Sequence, residues 1–176
     1  MPCVIDARIA HSVLVLPLVS TCLADPVHDR DVAQLGGETP GVPAGPLHRP
    51  GQPCSACHDS EGPATARFSL AGTVYREAAT TAALEGATVR VIDWTGAQYA
   101  TTTNCAGNFF VRDTDFAPSW PVWVKVEYAG QTAEMISAAF RETSCNACHA
   151  DPASPSTVGH VYLAQAGSVA GEAGCP

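Results

Sequence analysis

Phe68-Ser69-Leu70-Ala71-Gly72-Thr73-Val74-Tyr75 alternates large apolar side chains with small or polar ones. A period of two over eight residues predicts a strand with one face buried. The same pattern recurs downstream. Ala87 to Asp93 puts Val89 and Val91 on one face, and Gln98 to Thr103, Asn108 to Arg112, Pro121 to Tyr128 and Gln131 to Ala138 read as four more strands. Turn residues separate them at Trp94-Thr95-Gly96, Asn104-Cys105-Ala106-Gly107 and Ala129-Gly130. Gly159 to Ala164 reads as a seventh strand, and Ala78 to Glu85 fits one or two helical turns or a loop between strands. Short strands spaced by turns predict a mainly β protein, an antiparallel β-sandwich of about seven strands whose body spans residues 68–140.

On either side of that body stands the same five-residue word: Cys54-Ser55-Ala56-Cys57-His58 before it and Cys145-Asn146-Ala147-Cys148-His149 after it. C-x-x-C-H is the attachment signature of c-type haem. Its spacing has a physical reason. Two thiols three residues apart sit on one side of a helical turn, each within reach of one haem vinyl group, and the His that follows is turned toward the iron. Two other readings of the same residues are a zinc site of four thiolates, with both His as bystanders, and a redox dithiol, which expects a βαβ context in a cytosolic protein.

Composition narrows the classes. The chain of 176 residues has net charge −8, a single lysine (Lys125), and 29 Gly plus Pro (15 + 14). So acidic a chain is a poor match for nucleic acid and a better one for a basic partner. Its 15% charged residues and many turn formers suit short strands better than a helix bundle. Residues Ile9 to Ala24 form an apolar run broken by His11 and Pro17, read as a signal peptide (1–24) cleaved after Ala24. Val19-Ser20-Thr21-Cys22 is a loose lipoprotein signal, in which Cys22 would carry a lipid anchor; an uncleaved anchor or a misplaced start codon is the remaining reading. Export, to the periplasm or the cell surface, agrees with the eight cysteines. Residues 25–53 hold five prolines between Thr39 and Pro53 and show no apolar period, the signature of a linker.

Both words resemble those of c-type cytochromes. The resemblance implies two covalent haems, held by thioethers from Cys54, Cys57, Cys145 and Cys148, with His58 and His149 as proximal iron ligands, in segments 54–67 and 141–158. The intervening body resembles the carboxypeptidase regulatory-like or transthyretin-like sandwich. That likeness is carried by Leu70-Ala71-Gly72-Thr73-Val74, Leu84-Glu85-Gly86-Ala87-Thr88-Val89 with Val91 and Asp93, and Thr103-Asn104-Cys105-Ala106-Gly107-Asn108-Phe109. It covers residues 68 to 138 and implies an Ig-like fold without inherited chemistry. Cys105 departs from it, standing where an Asp or Asn is common.

Counting strand directions gives the expected arrangement. Six strands joined by short connections run up and down three times, so both words are expected at one end of the sandwich. Trp94, Phe116 and Trp120 fall at that end, either against porphyrin or as ordinary core and rim residues. The last strand and tail (159–176) would carry Cys175 to the opposite end, beside Cys105, for a disulfide. A c-type iron takes a sixth ligand or leaves an open site. His48 and His160 are the candidates for distal ligands, with Met135 as the competitor and His28 read as a solvated linker side chain. Electron transfer between redox partners, or toward an extracellular acceptor, is the first functional expectation. The others are a dihaem peroxidase-like enzyme with one open iron, and a surface-binding or self-assembling module of a longer haem chain. No G-x-S-x-G, phosphate loop or H-E-x-x-H is present.

Overall fold

The computed structural model describes residues 25–38, 40–163 and 175. The leader and Cys22 lie outside them. The protein is mainly β. Strands β1 (Phe68–Tyr75), β2 (Thr88–Asp93), β3 (Gln98–Thr102), β4 (Asn108–Arg112), β5 (Val122–Tyr128), β6 (Gln131–Glu134) and β7 (Val161–Tyr162) form two sheets. One has the order β4-β1-β7 and the other β3-β2-β5-β6. Alternation explains the core: Leu70 and Val74 of β1 with Phe109 and Val111 of β4 meet Val89 and Val91 of β2 and Val122, Val124 and Val126 of β5. Each such side chain, once buried, contributes about 1.5–3 kcal/mol. All pairings are antiparallel except β1 with β7, which is parallel and joins Val74 to Val161 and Tyr75 to Tyr162.

Two expectations change, and one open alternative is decided. The segment read as linker contains helix α1 (Pro26–Gln34), because Asp25 accepts N–H bonds from Val27 and His28 and Pro26 stands at the first helical position. Residues 78–85 form a loop, tied back by the Tyr75–Ala83 bridge. β6 stops at Glu134, well short of Ala138.

The largest departure concerns β1. A strand in a two-layer body ordinarily shows one face to solvent, yet β1 is buried along its length after Phe68. Leu70 and Val74 face the core, while the opposite side is covered by chain from outside the sheets. The Gly51 N–H donates to Thr73 Oγ1 (2.9 Å), and Ser144 bridges to Ala71. Both C-x-x-C-H words therefore lie along the flank of β1. Strand parity assumed that each segment ends where its sheet ends, but the chain after β6 folds back to the middle of β1.

Candidate functional site

The first word forms a single turn, α2 (Ser55–His58), and the second forms α3 (Cys145–Cys148). Residues on and around the second word hold the two together. Ser144, fully buried, accepts from the Cys54 N–H at 3.0 Å. Glu142 accepts from both the Ser55 hydroxyl (3.2 Å) and the Ser144 N–H (2.8 Å). Asn146 donates to Gln52 O (2.9 Å) and Thr73 Oγ1 (3.1 Å) and accepts from the Thr73 N–H (3.2 Å). Gly72 makes room for this packing: a Cβ there would lie 2.8 Å from the Cys145 Cβ.

The two words share local geometry. The N–H of His58 donates to Cys54 O (3.0 Å) and that of His149 to Cys145 O (2.8 Å), which closes each turn. The His58 Nδ1 bonds Ala66 O (2.9 Å) and the His149 Nδ1 bonds Gly159 O (3.2 Å). A carbonyl partner places the hydrogen on Nδ1 and leaves the Nε2 lone pair available, the arrangement found behind metal-bound imidazoles. Burial lowers the His58 pKa, and the nearby His48 and Arg67 add to the effect. Burial also pushes the Cys54 thiol up to about 11 and the Cys145 thiol up to about 12, the latter with a further contribution from neighbouring Cys54.

The first word opens on a cavity of about 760 Å³ between the outer side of β1 and β4 and residues 32–66. Its walls include Cys54, Cys57, His58, His48, Phe68 and Phe110. The His48 and His58 rings stand 5.9 Å apart between centroids, and Phe68 stacks on His58 at 4.2 Å and on Phe110 at 5.1 Å. The size matches a cofactor pocket. Two thiols, two imidazoles and aromatic walls fit a covalently held haem. One adjustment is required: His48 Nδ1 accepts from the Gly45 N–H (3.0 Å), so ligation through Nε2 would exchange that bond.

The second word is more open. Cys148 is exposed and His149 half-buried. A groove of about 940 Å³ runs beside it, lined by Thr80, Asp151, Val158, His160 and Tyr162 among others. His160 does not reach out of this wall as a free ligand. Its Nδ1 pairs with Asp151 Oδ2 and its Nε2 bonds Glu77 O (2.9 Å). Burial opposes its protonation, but the Asp151 carboxylate and the Glu77 carbonyl outweigh that and raise its pKa. Met135 packs against the hydrophobic core and does not line the first cavity. The Trp94, Phe116 and Trp120 side chains do not line it either: Trp94 is exposed, Phe116 stacks on Tyr99, and Trp120 packs on the core. His28 is less solvated than a linker residue, its Nε2 being buried without a hydrogen-bond partner among the described residues. Cys105 and Cys175 are joined by a disulfide with Cα atoms 5.2 Å apart. Among the described residues, no three side chains of His, Cys, Asp or Glu converge on a common metal-ion position.

Sequence reasoning passed over Ser144, Asn146, Phe68 and Phe110. The two residues inside each C-x-x-C look like spacers, and only the fold shows that Asn146 is a structural bridge. Phe110 carried a signal, because it alternates with core residues Phe109 and Val111 and so had to face the other way. Comparison of the chain with protein-family models, curated proteins and solved structures finds no match.

Proposed function

We propose that this chain is an exported dihaem c-type cytochrome that transfers electrons between redox partners or toward an extracellular acceptor, with a transthyretin-like body as its scaffold. The observation that carries the reading is the pair of C-x-x-C-H words packed side by side, each with its His Nδ1 anchored to a carbonyl. Cys54, Cys57 and His58 would hold the first haem with His48 facing it, and Cys145, Cys148 and His149 would hold the second. Haem supplies one-electron chemistry at the iron. The protein holds, orients and shields it, and no catalytic base is needed. The test is export from a host that attaches c-type haem, followed by pyridine haemochrome assay and intact mass. Two covalent haems per chain are expected, and fewer than two overturn the reading.

A specific observation favours a second reading, a peroxidase-like enzyme with one open iron. Both ring nitrogens of His160 are occupied, so it does not stand ready beside the second word as His48 does beside the first. The ferric spectrum separates the two. Two low-spin haems support the carrier, and one high-spin haem supports the enzyme.

A further inference from the structure

Two cationic side chains line the first cavity, Arg49 and Arg112. Arg49 is spent on the chain itself. Its guanidinium pairs with Glu38 (3.0 Å) and donates to Gln52 Oε1 (2.9 Å), Gly36 O (2.7 Å) and Leu35 O (3.3 Å). Arg67, nearby, is likewise committed to the carbonyls of Asp59 and Gly62. Arg112 differs. It ends β4, directly across from Phe68, whose ring stacks on His58. Its backbone is held by the ladder with Phe68 and by the N–H groups of Asp115 and Phe116, which donate to its carbonyl, while among the described residues its side chain forms no hydrogen bond or ion pair. A haem brings two carboxylates into a chain that already carries net charge −8. A carboxylate at the edge of an apolar cavity is costly unless it meets water or a cation.

We propose that Arg112 binds a propionate carboxylate of the haem held by the first word, fixing the angle of the porphyrin and tuning its potential; this rests on the dihaem reading above. A guanidinium matches a carboxylate in two parallel N–H···O bonds, which a lysine cannot reproduce. Arg112 is exposed, so the pair adds little to stability. The thioethers already retain the haem, and the role left to Arg112 is positioning. Its effect on potential has a definite sign. An unpaired propionate favours the more positive ferric state, and pairing it with Arg112 offsets that preference.

The test uses the haem-loaded protein and its Arg112→Gln, Arg112→Lys and Arg90→Gln variants, the last altering a residue paired with Glu127 on the other sheet. Haem count, resonance Raman spectrum and potentiometric titration are recorded for each. Arg112→Gln is expected to keep two haems, shift the propionate-bending band and lower the midpoint potential of one haem while the other stays. Arg112→Lys should restore the potential but leave the band shifted, and Arg90→Gln should change neither. An unshifted band in Arg112→Gln overturns the proposal whatever the potential does, because a charge acting through space would move the potential alone. If Arg112→Gln fails to load or fold, the Raman band of Arg112→Lys decides, and an unshifted band there overturns the paired geometry. Fewer than two haems in the unaltered protein would instead overturn the functional reading, a separate result.

Discussion

Asn146 occupies a spacer position of the second word, yet it is almost fully buried and holds the approach to the first word against β1. Replacing it by Ala leaves the buried Thr73 N–H without its partner and takes from Gln52 O its N–H donor, with only the weaker Cys54 thiol at 3.6 Å remaining. Each buried group left without a partner costs about 1–3 kcal/mol, so Asn146→Ala is expected to lose about 2–4 kcal/mol of stability in urea titration. The words themselves were legible because their chemistry fixes residue type and spacing. The bridge was not, since an Asn acquires meaning only from what surrounds it, and Gln52 and Thr73 are 94 and 73 residues away in the chain. The engagement of His160 was hidden for the same kind of reason. Its partner Asp151 lies nine residues before it, but Glu77 O is brought in from the far side of the β1 end.

At the level of elements, the positions of β1 to β5 were readable to within a residue, because alternating burial in β2 and β5 follows alternating hydrophobicity in the sequence. What hydrophobic period cannot give is the cover on the second side of β1, which comes from the proline- and glycine-rich segment before the first word together with residues 144–146 at the second. The turn after β2 is held by Asp93, whose carboxylate accepts from the Thr95 hydroxyl and N–H, the Ala97 N–H and the Ser119 N–H. The Thr95 hydroxyl and the Ser119 N–H lead in lowering its pKa below the ordinary carboxylate value. The stabilisation is therefore fully present above the unfolded-state pKa and is lost as pH falls through the depressed folded value. Asp93→Asn should lower stability at neutral pH, and its deficit against the unaltered protein should shrink in strong acid, as read from urea midpoints across pH. The disulfide ties the turn between β3 and β4 to the chain's end, 70 residues on. Cys105→Ser with Cys175→Ser is expected to cost about 2–4 kcal/mol, measured the same way.

For the whole molecule, the two-sheet body holds together two sites that are 91 positions apart in sequence (145 − 54), so their separation is set by β1 and not by a flexible tether. In the dihaem reading, two ferric irons at such sites should show magnetic interaction. Removing the second attachment with Cys145→Ala and Cys148→Ala should leave a single, uncoupled paramagnetic resonance signal. Equal spectra from the two proteins would mean that the sites do not communicate. The partly buried thiols of Cys54 and Cys145 add an element of timing. Burial pushes them up to about 11 and about 12, which keeps them protonated near neutrality, and a protonated thiol is a poor nucleophile. In the dihaem reading, covalent attachment at these two positions would go fastest while the thiols still face water, so folding would limit the period in which a cofactor can be joined.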